Sequence, residues 1–178
     1  MSTLSVDTIQ GQTTAATVKL PAGSILQTVT KDFSGTITTI TSSGVTFTDI
    51  TDATITITPK YNNSKILIIP NIEFYLQDST SVYIYSAFRC LRGSSTVLGP
   101  ANPRDGNGGY DYGIGVNPGS NLTTIQFGSR YCAHHTDTPA TTSATTYKFQ
   151  GQCYSAGRSL VINGGDAGSS ILAMEISV

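Results

Sequence analysis

From Ile25 onward the chain is a series of short runs in which apolar residues are interleaved with threonine. Alternation of this kind is typical of strands with one face on a core and the other in water. The shortest such pairs are Ile37 and Ile40, Val45 and Phe47, and Ile55 and Ile57. Turn residues separate the runs, and the whole pattern predicts about nine to eleven strands and no convincing helix.

Longer runs supply the predicted core. The first of them, Lys65 to Gln77, is interrupted by Pro70, and a proline inside a strand indicates an edge or a bulge. In the last run, which contains Leu172, Met174 and Ile176, the pattern predicts that Glu175 points outward. The residues predicted to face inward are Ile66, Ile68, Ile72, Phe74 and Leu76; Val82, Ile84, Phe88 and Cys90; Ile125, Phe127 and Tyr131; Tyr147, Phe149 and Cys153; and Leu172, Met174 and Ile176.

Residues 1–24 precede these strands and contain too few apolar side chains to form a core of their own. Their strand-like spacing predicts an extended N-terminal arm that a neighbouring chain orders, and a floppy tail is the alternative. Residues 25–178 are long enough for one domain. We therefore predict an all-β fold, an antiparallel β-sandwich or jelly roll with an extended arm.

The segment 93–121 departs from the strand rhythm, because it is rich in glycine, proline and asparagine. We predict one long loop here, and loops of this length are commonly functional or mobile. Aromatic rings beside polar groups suit a sugar, which offers an apolar face and hydroxyls. The candidate glycan contacts are Arg104, Asp105, Tyr110, Asp111 and Tyr112. Alternatively, the tyrosines pin the loop to its own domain or to a neighbouring subunit.

The same segment faintly resembles a calcium loop at Asp105, Asn107 and Asp111. Tyr110 stands where that loop needs glycine, and Val116 stands where it needs the last acid, so the ligand set is incomplete. No metal site and no cofactor are predicted.

His134 and His135 are the only histidines, and their adjacency favours exposed loop residues over a chelating pair. In a symmetric trimer one of them could instead form a three-histidine ring on the axis. The cysteines, Cys90, Cys132 and Cys153, are odd in number and widely spaced, which indicates small core residues and no disulfide framework or zinc site.

Composition narrows the function classes further. Charged residues make up 12% of the chain, about half the usual share, while threonine and serine number 27 and 20. This mix disfavours helices and suits pleated sheets. A net charge of −1 gives no electrostatic footprint for nucleic acid, and no apolar run approaches the roughly 18 residues of a membrane span.

The sequence also lacks the familiar signatures of a hydrolase. No Gly-x-Ser-x-Gly elbow occurs, and neither histidine has a recognisable serine or cysteine partner. A non-enzymatic protein is predicted. A small glycan-cleaving enzyme remains the alternative, because catalytic pairs that meet only in space are invisible in one sequence.

Several stretches resemble structural proteins of tailed bacteriophages, especially marine and cyanobacterial ones. These stretches are residues 57–60 and 63–68, 92–96 with 98–99, 146–150, 162–163 and 170–176, and, at the N-terminus, residues 2–11 and 20–24. The resemblance implies a small β-sandwich, most often a homotrimer, whose N-terminal segment attaches to other virion proteins. It carries over no catalytic residues.

The leading hypothesis is therefore a short trimeric tail fibre or similar appendage, assembled in the host cytoplasm and carried in the virion. The arm would anchor it, and the segment 93–121 would meet a host surface glycan. A capsid decoration protein of the same fold is the runner-up.

Overall fold

The computed structural model describes residues 20–35, 38–41, 46–78, 84–99, 111–116, 125–153, 158–164 and 168–178. Over these residues the chain forms twelve strands and no helix, so the predicted all-β fold class is confirmed. The strands are β1 (Ile25–Phe33), β2 (Thr38–Thr41), β3 (Thr48–Ile57), β4 (Lys65–Asp78), β5 (Ile84–Arg92), β6 (Thr96–Leu98), β7 (Asp111–Val116), β8 (Ile125–Cys132), β9 (His135–Asp137), β10 (Thr145–Cys153), β11 (Arg158–Ile162) and β12 (Ser169–Ile176).

The strands form two antiparallel sheets that pack face to face. The seven-stranded sheet has the order β1-β12-β4-β11-β2, with β8 and β9 on the other side of β4. The five-stranded sheet has the order β3-β10-β5-β6, with β7 also on β5. This sandwich is compatible with a jelly roll. Its first and last strands, β1 and β12, are neighbours over their whole length.

The core lies between the sheets and is filled by alternate residues of the long strands. The Phe74 ring in one sheet lies 5.1 Å from the Phe88 ring in the other, and Phe88 stacks on Tyr131 at 4.5 Å. Each fully buried large side chain contributes about 1.5–3 kcal/mol. Confirmed inward residues with at most 1% exposure are Ile66, Ile68, Ile72, Phe74, Leu76, Phe88, Cys90, Tyr147, Phe149 and Cys153. Phe127, also predicted inward, is 38% exposed.

Pro70 does not mark an edge strand, because β4 is central and pairs on both sides. On one side β12 runs past Pro70 without interruption. On the other side the pairing breaks there, between Ile68, which pairs with β9, and Asn71, which pairs with β8. The proline, which has no N–H to donate, therefore coincides with an interruption in the neighbouring strands.

The predicted orientation of β12 is wrong. Ile171, Ala173 and Glu175 point into the sandwich, while Leu172, Met174 and Ile176 lie partly exposed on the outer face. Both faces of this strand carry apolar residues, so the alternation alone does not say which face is inside. The charge of Glu175 does not place it on the outer face, because the fold supplies hydrogen-bond donors to its carboxylate inside the sandwich.

Two predictions about single residues are also wrong. His135 is 4% exposed: it lies in β9, its Nε2 is 3.0 Å from the Tyr131 hydroxyl, and only its neighbour His134 is exposed. Burial within its own chain removes His135 from a ring on a symmetry axis. Cys132 is exposed on β8, whereas Cys90 and Cys153 are buried as expected.

The segment 93–121 is not a continuous loop, because β6 and β7 lie within it. Both strands pair with β5: Leu98 is opposite Cys90, and Val116 is opposite Ile84. Short strands with few apolar residues and many glycines give little periodic signal, which explains why the pattern missed them.

Candidate functional site

Three of the five predicted glycan contacts, Arg104, Asp105 and Tyr110, lie outside the described residues. The backbones of Asp111 and Tyr112 are described, and they pair with Phe88 and Ala87 of β5. The structure thus joins this end of the segment to the five-stranded sheet and leaves the proposed sugar site itself open. Asp105 and Asn107, which belong to the incomplete likeness to a calcium loop, also lie outside the described residues.

The other predicted functional element is the N-terminal arm, and the structure describes it from residue 20 onward. We call residues 20–24 the arm base. Ser177 at the end of the chain holds this base: its carbonyl accepts from the Gly23 amide at 2.9 Å, and its own amide donates to the Ser24 carbonyl at 2.9 Å. The Ser177 hydroxyl donates to the Pro21 carbonyl at 2.6 Å and accepts from the Ser24 amide at 3.2 Å. The arm therefore leaves the domain from a fixed point.

Gly23 has φ +86°, a backbone conformation that side chains with a Cβ rarely adopt. The turn at Pro21–Ser24 and the extended start of β1 are joined through it. The turn binds the backbone and the hydroxyl group of Ser177.

Below this base, the inward-pointing Glu175 of β12 accepts hydrogen bonds from two other segments, β1 and the turn between β3 and β4. Its Oε1 accepts from the Lys60 amide at 2.7 Å, the Ser64 hydroxyl at 2.6 Å and the Tyr61 amide at 3.3 Å. Its Oε2 accepts from the Gln27 side chain at 2.6 Å. The carboxylate thus ties β1 and the turn between β3 and β4 to β12.

Burial of Glu175, whose exposure is 0%, would by itself raise the pKa of its carboxyl group. The hydrogen bonds from Ser64, Gln27 and the two backbone amides favour the charged form, and together they lower that pKa below its usual value. The group is therefore ionised at neutral pH and acts as an acceptor of hydrogen bonds. Periodicity could not reveal it, since its donors come from residues more than 100 positions away.

A small cleft with mixed polar and apolar lining opens beside the arm base. Its lining residues are Leu20, Leu26, Tyr61, Asn63, Ser64, Ser177 and Val178. Leu20 and Val178 are 48% and 67% exposed, and Ile25 at the start of β1 is 56% exposed. Large apolar side chains exposed together mark contact sites more often than isolated ones do.

A second polar group lies on the outer face of the five-stranded sheet. Asp49 accepts from Lys148 at 2.9 Å and from the Gln150 side chain at 2.5 Å. Gln150 in turn accepts from Arg89 at 2.6 Å, and the Arg89 guanidinium lies 4.3 Å from the centre of the Phe47 ring. Hydrogen bonds from Lys148 and then Gln150 lower the pKa of Asp49. The cluster satisfies its own charges and leaves no pair poised for catalysis.

Between the sheets, Asp137 of β9 joins two residues of the five-stranded sheet. Arg92 donates to its two carboxylate oxygens at 2.9 and 3.0 Å, and the Tyr147 hydroxyl donates at 2.9 Å. Burial first and then the bond to Asp137 raise the pKa of Tyr147 well above its usual range. Tyr147 therefore stays protonated and holds the short strand β9 against the opposite sheet.

Over the described part of the chain, no three histidine, cysteine or acidic side chains come together as a metal-binding group would require. No helix that could cross a membrane is found there either.

No protein-family profile and no curated protein matches the chain. Among solved structures, it is similar to a chain in the structure of the infectious bursal disease virus Gt strain, with 12% sequence identity and a TM-score of 0.33. The alignment covers 100% of this chain and 43% of that one, so this chain spans less than half of its neighbour's length. At this level of similarity, the functional argument rests on the chain's own residues.

Proposed function

We propose that this chain is a non-enzymatic structural protein of a tailed-bacteriophage virion, in which the N-terminal arm attaches a β-sandwich to the particle. The particular role proposed is a short tail fibre or similar appendage built from three copies of the chain. The observation that carries the proposal is the fixed arm base, where Pro21, Gly23 and Ser24 are hydrogen-bonded to Ser177.

A fixed base is what an anchoring arm needs. An arm that emerged from a loose loop would transmit little force between the particle and the domain, whereas this one leaves beside the start of β1, at the edge of the seven-stranded sheet. The exposed Leu20, Ile25 and Val178 surround the point of departure and offer apolar surface to a virion partner.

The stretches that carry the phage resemblance support the same part of the molecule. Residues 57–68 and 170–176 meet at Glu175, and residues 20–24 lie directly beside them. These three of the resembling stretches therefore lie at the base of the arm.

Deletion of residues 1–19 tests the anchoring role, since it leaves the base and all described strands intact. The deleted protein is expected to keep the melting temperature of the full chain and to be absent from purified particles. Normal incorporation of the deleted protein would contradict the proposal.

Antibody labelling of intact particles tests the position. Label at the tail is expected for an appendage, and label spread over the capsid would identify a decoration protein instead. Incubation with host polysaccharide is expected to yield no new reducing ends, and their appearance would show an enzyme.

A further inference from the structure

The outer face of the seven-stranded sheet carries a continuous apolar block on its two central strands. In this block Leu67 of β4 is opposite Met174 of β12, and Ile69 is opposite Leu172. Ile176 extends it along β12, and all five side chains are partly exposed. We call these five residues the outer apolar block.

Both strands of the block are apolar on their other face as well. In β4 the inward residues include Ile66 and Ile68, and in β12 they include Ile171 and Ala173. Strands that are apolar on both faces are normally covered on both faces. The sandwich covers only the inner one.

The outer face of the five-stranded sheet differs along β3 and β10. There Thr56 and Thr146 are hydrogen-bonded across the strands at 2.7 Å, and Lys148 pairs with Asp49. A polar outer face of this kind is stable in water. The contrast shows that the apolar block belongs to one side of the molecule.

Charges flank the block in a self-complementary way. Lys65, exposed, lies at one end of it on β4, and Glu73 lies at the other, with Ile69 midway between them. The Oε2 atom of Glu73 is buried and has no hydrogen-bond partner in the structure as described. Its cross-strand neighbour Arg130 is directed to Asn71 and Gly168 instead.

From these features we infer that a second copy of this chain packs face to face on the outer apolar block, related by a two-fold axis near Ile69. Two antiparallel copies of β4 then place Lys65 of each chain near Glu73 of the other. Such a contact uses the same patch on both copies, as two-fold interfaces do.

The available area is sufficient for this contact. The block occupies two strands, and β1 on one side and β8 with β9 on the other widen the face to four strands. Four strands at about 4.8 Å spacing, over ten residues at about 3.3 Å each, give on the order of 600 Å² per copy. Stable interfaces bury about 600–1,000 Å² per partner. The two-fold contact goes beyond the virion role, because it is a further contact between copies and is distinct from the three-fold one proposed above. Combined with that three-fold contact, it would give six copies.

The first test measures the mass of the full-length protein against concentration, using light scattering and analytical ultracentrifugation. An even number of copies is expected. A monomer at about 100 µM, as would occur if the chain's own arm covered the block, would overturn the inference, and so would a trimer as the largest species.

Ile69→Lys is the disruptive variant, because the two-fold axis would bring the new lysine against its own copy. We expect the dissociation constant of the two-fold contact to rise at least ~100-fold. Thr56→Lys, on the outer face of the other sheet, is the matched control and should leave the mass unchanged. Equal effects of the two variants would contradict the inference.

A charge exchange distinguishes a specific contact from misfolding. Lys65→Glu alone should weaken association about 10-fold, because it places two carboxylates together. Adding Glu73→Lys to the same chain should restore association, since the pair is then reversed. Unchanged melting temperatures would show that the variants fold, and failure of the double variant to associate would exclude the antiparallel arrangement. All these experiments measure association in solution and none depends on incorporation into particles. The inference can therefore fail while the anchoring proposal holds, and the reverse.

Discussion

A buried carboxylate is stable only if the hydrogen bonds that it accepts offset the loss of water, and Glu175 meets this condition. It accepts four hydrogen bonds, three of them at 2.6–2.7 Å. The bonds come from β1, which is already paired with β12, and from the turn before β4. One side chain therefore adds to the backbone pairing of β1 and fixes the turn before β4.

Replacing Glu175 by glutamine is expected to lower the free energy of unfolding by about 2–4 kcal/mol, because the amide group is neutral and presents N–H groups to some of the donors. Chemical denaturation at low protein concentration measures the change. Glu73→Gln is the control, since an Oε2 atom without a partner in the described structure has little to lose. A loss equal to that of Glu175→Gln would argue against this account.

The contribution of Glu175 also depends on pH in a defined direction. Its pKa in the folded chain lies below the usual value of 4.5, so the unfolded chain binds the proton more tightly. The stabilisation is complete well above pH 4.5 and is lost as the pH falls through the folded pKa. The difference in melting temperature between the natural chain and Glu175→Gln should therefore shrink in acid. A difference that grows below pH 4.5 would contradict the assignment.

Among the elements, β10 carries a glycine, Gly151, where the opposite sheet leaves little room for a side chain. A Cβ atom on Gly151 would lie 2.9 Å from Ile40 Cδ1 and 3.0 Å from Leu160 Cδ2, both in the opposite sheet. The absence of a side chain at this position lets the sheets approach.

Gly151→Val should therefore lower the free energy of unfolding by about 1–3 kcal/mol through overpacking. Gly128→Val is the matched control on β8, where a Cβ would meet only the Phe74 carbonyl oxygen at 4.0 Å. Thermal unfolding of both variants gives the comparison. If both lost stability equally, the cause would be the valine and not the contact between the sheets.

The short strand β9 depends on Asp137 for its attachment to the opposite sheet. Asp137→Asn should weaken the bonds to Arg92 and Tyr147 and cost about 2–3 kcal/mol. Hydrogen exchange should become faster in β9, while the β1–β12 pairing keeps its protection. Asp49→Asn, which removes an exposed ion pair, should cost less than about 1 kcal/mol.

For the molecule as a whole, alternation of apolar residues was enough to predict the fold class and most of the core. It predicted Ile66 through Leu76 correctly because Lys65, Glu73 and Gln77 mark the outer face of β4 as polar, although the apolar Leu67 and Ile69 also lie on that face. It failed at β12, where Leu172 and Ala173 are both apolar, and at Pro70, where the break lies in the neighbouring strands. Sequence spacing contains no information about which distant strand pairs with which.

The candidate site, like the fold, could be predicted from the sequence only in part. An arm was predicted over residues 1–24, but the hydrogen bonds between its base and Ser177 were not, since no local pattern links residues so far apart in the chain. Buried His135 was missed because the three-residue strand that carries it is too short for a periodic signal. Packing and long-range pairing therefore account for what the sequence left open.

Host contact through the segment 93–121 stays a prediction. The double substitution Tyr110→Ala and Tyr112→Ala should weaken binding to host cells about 10-fold or more, because stacking on a sugar face is lost. Binding assays with fluorescent protein measure this, and the melting temperature is the control. A large fall in the melting temperature would indicate that the tyrosines pack against the protein itself.

The pairing of β1 with β12 also decides when, during synthesis, the arm base becomes fixed. Ser24 of the arm base and Ser177, which holds it, are 153 residues apart. At roughly 5–20 residues per second, synthesis takes on the order of 10–30 seconds between them. The base can form only after the last strand has left the ribosome. A chain that has not yet reached Ser177 therefore has no fixed arm base.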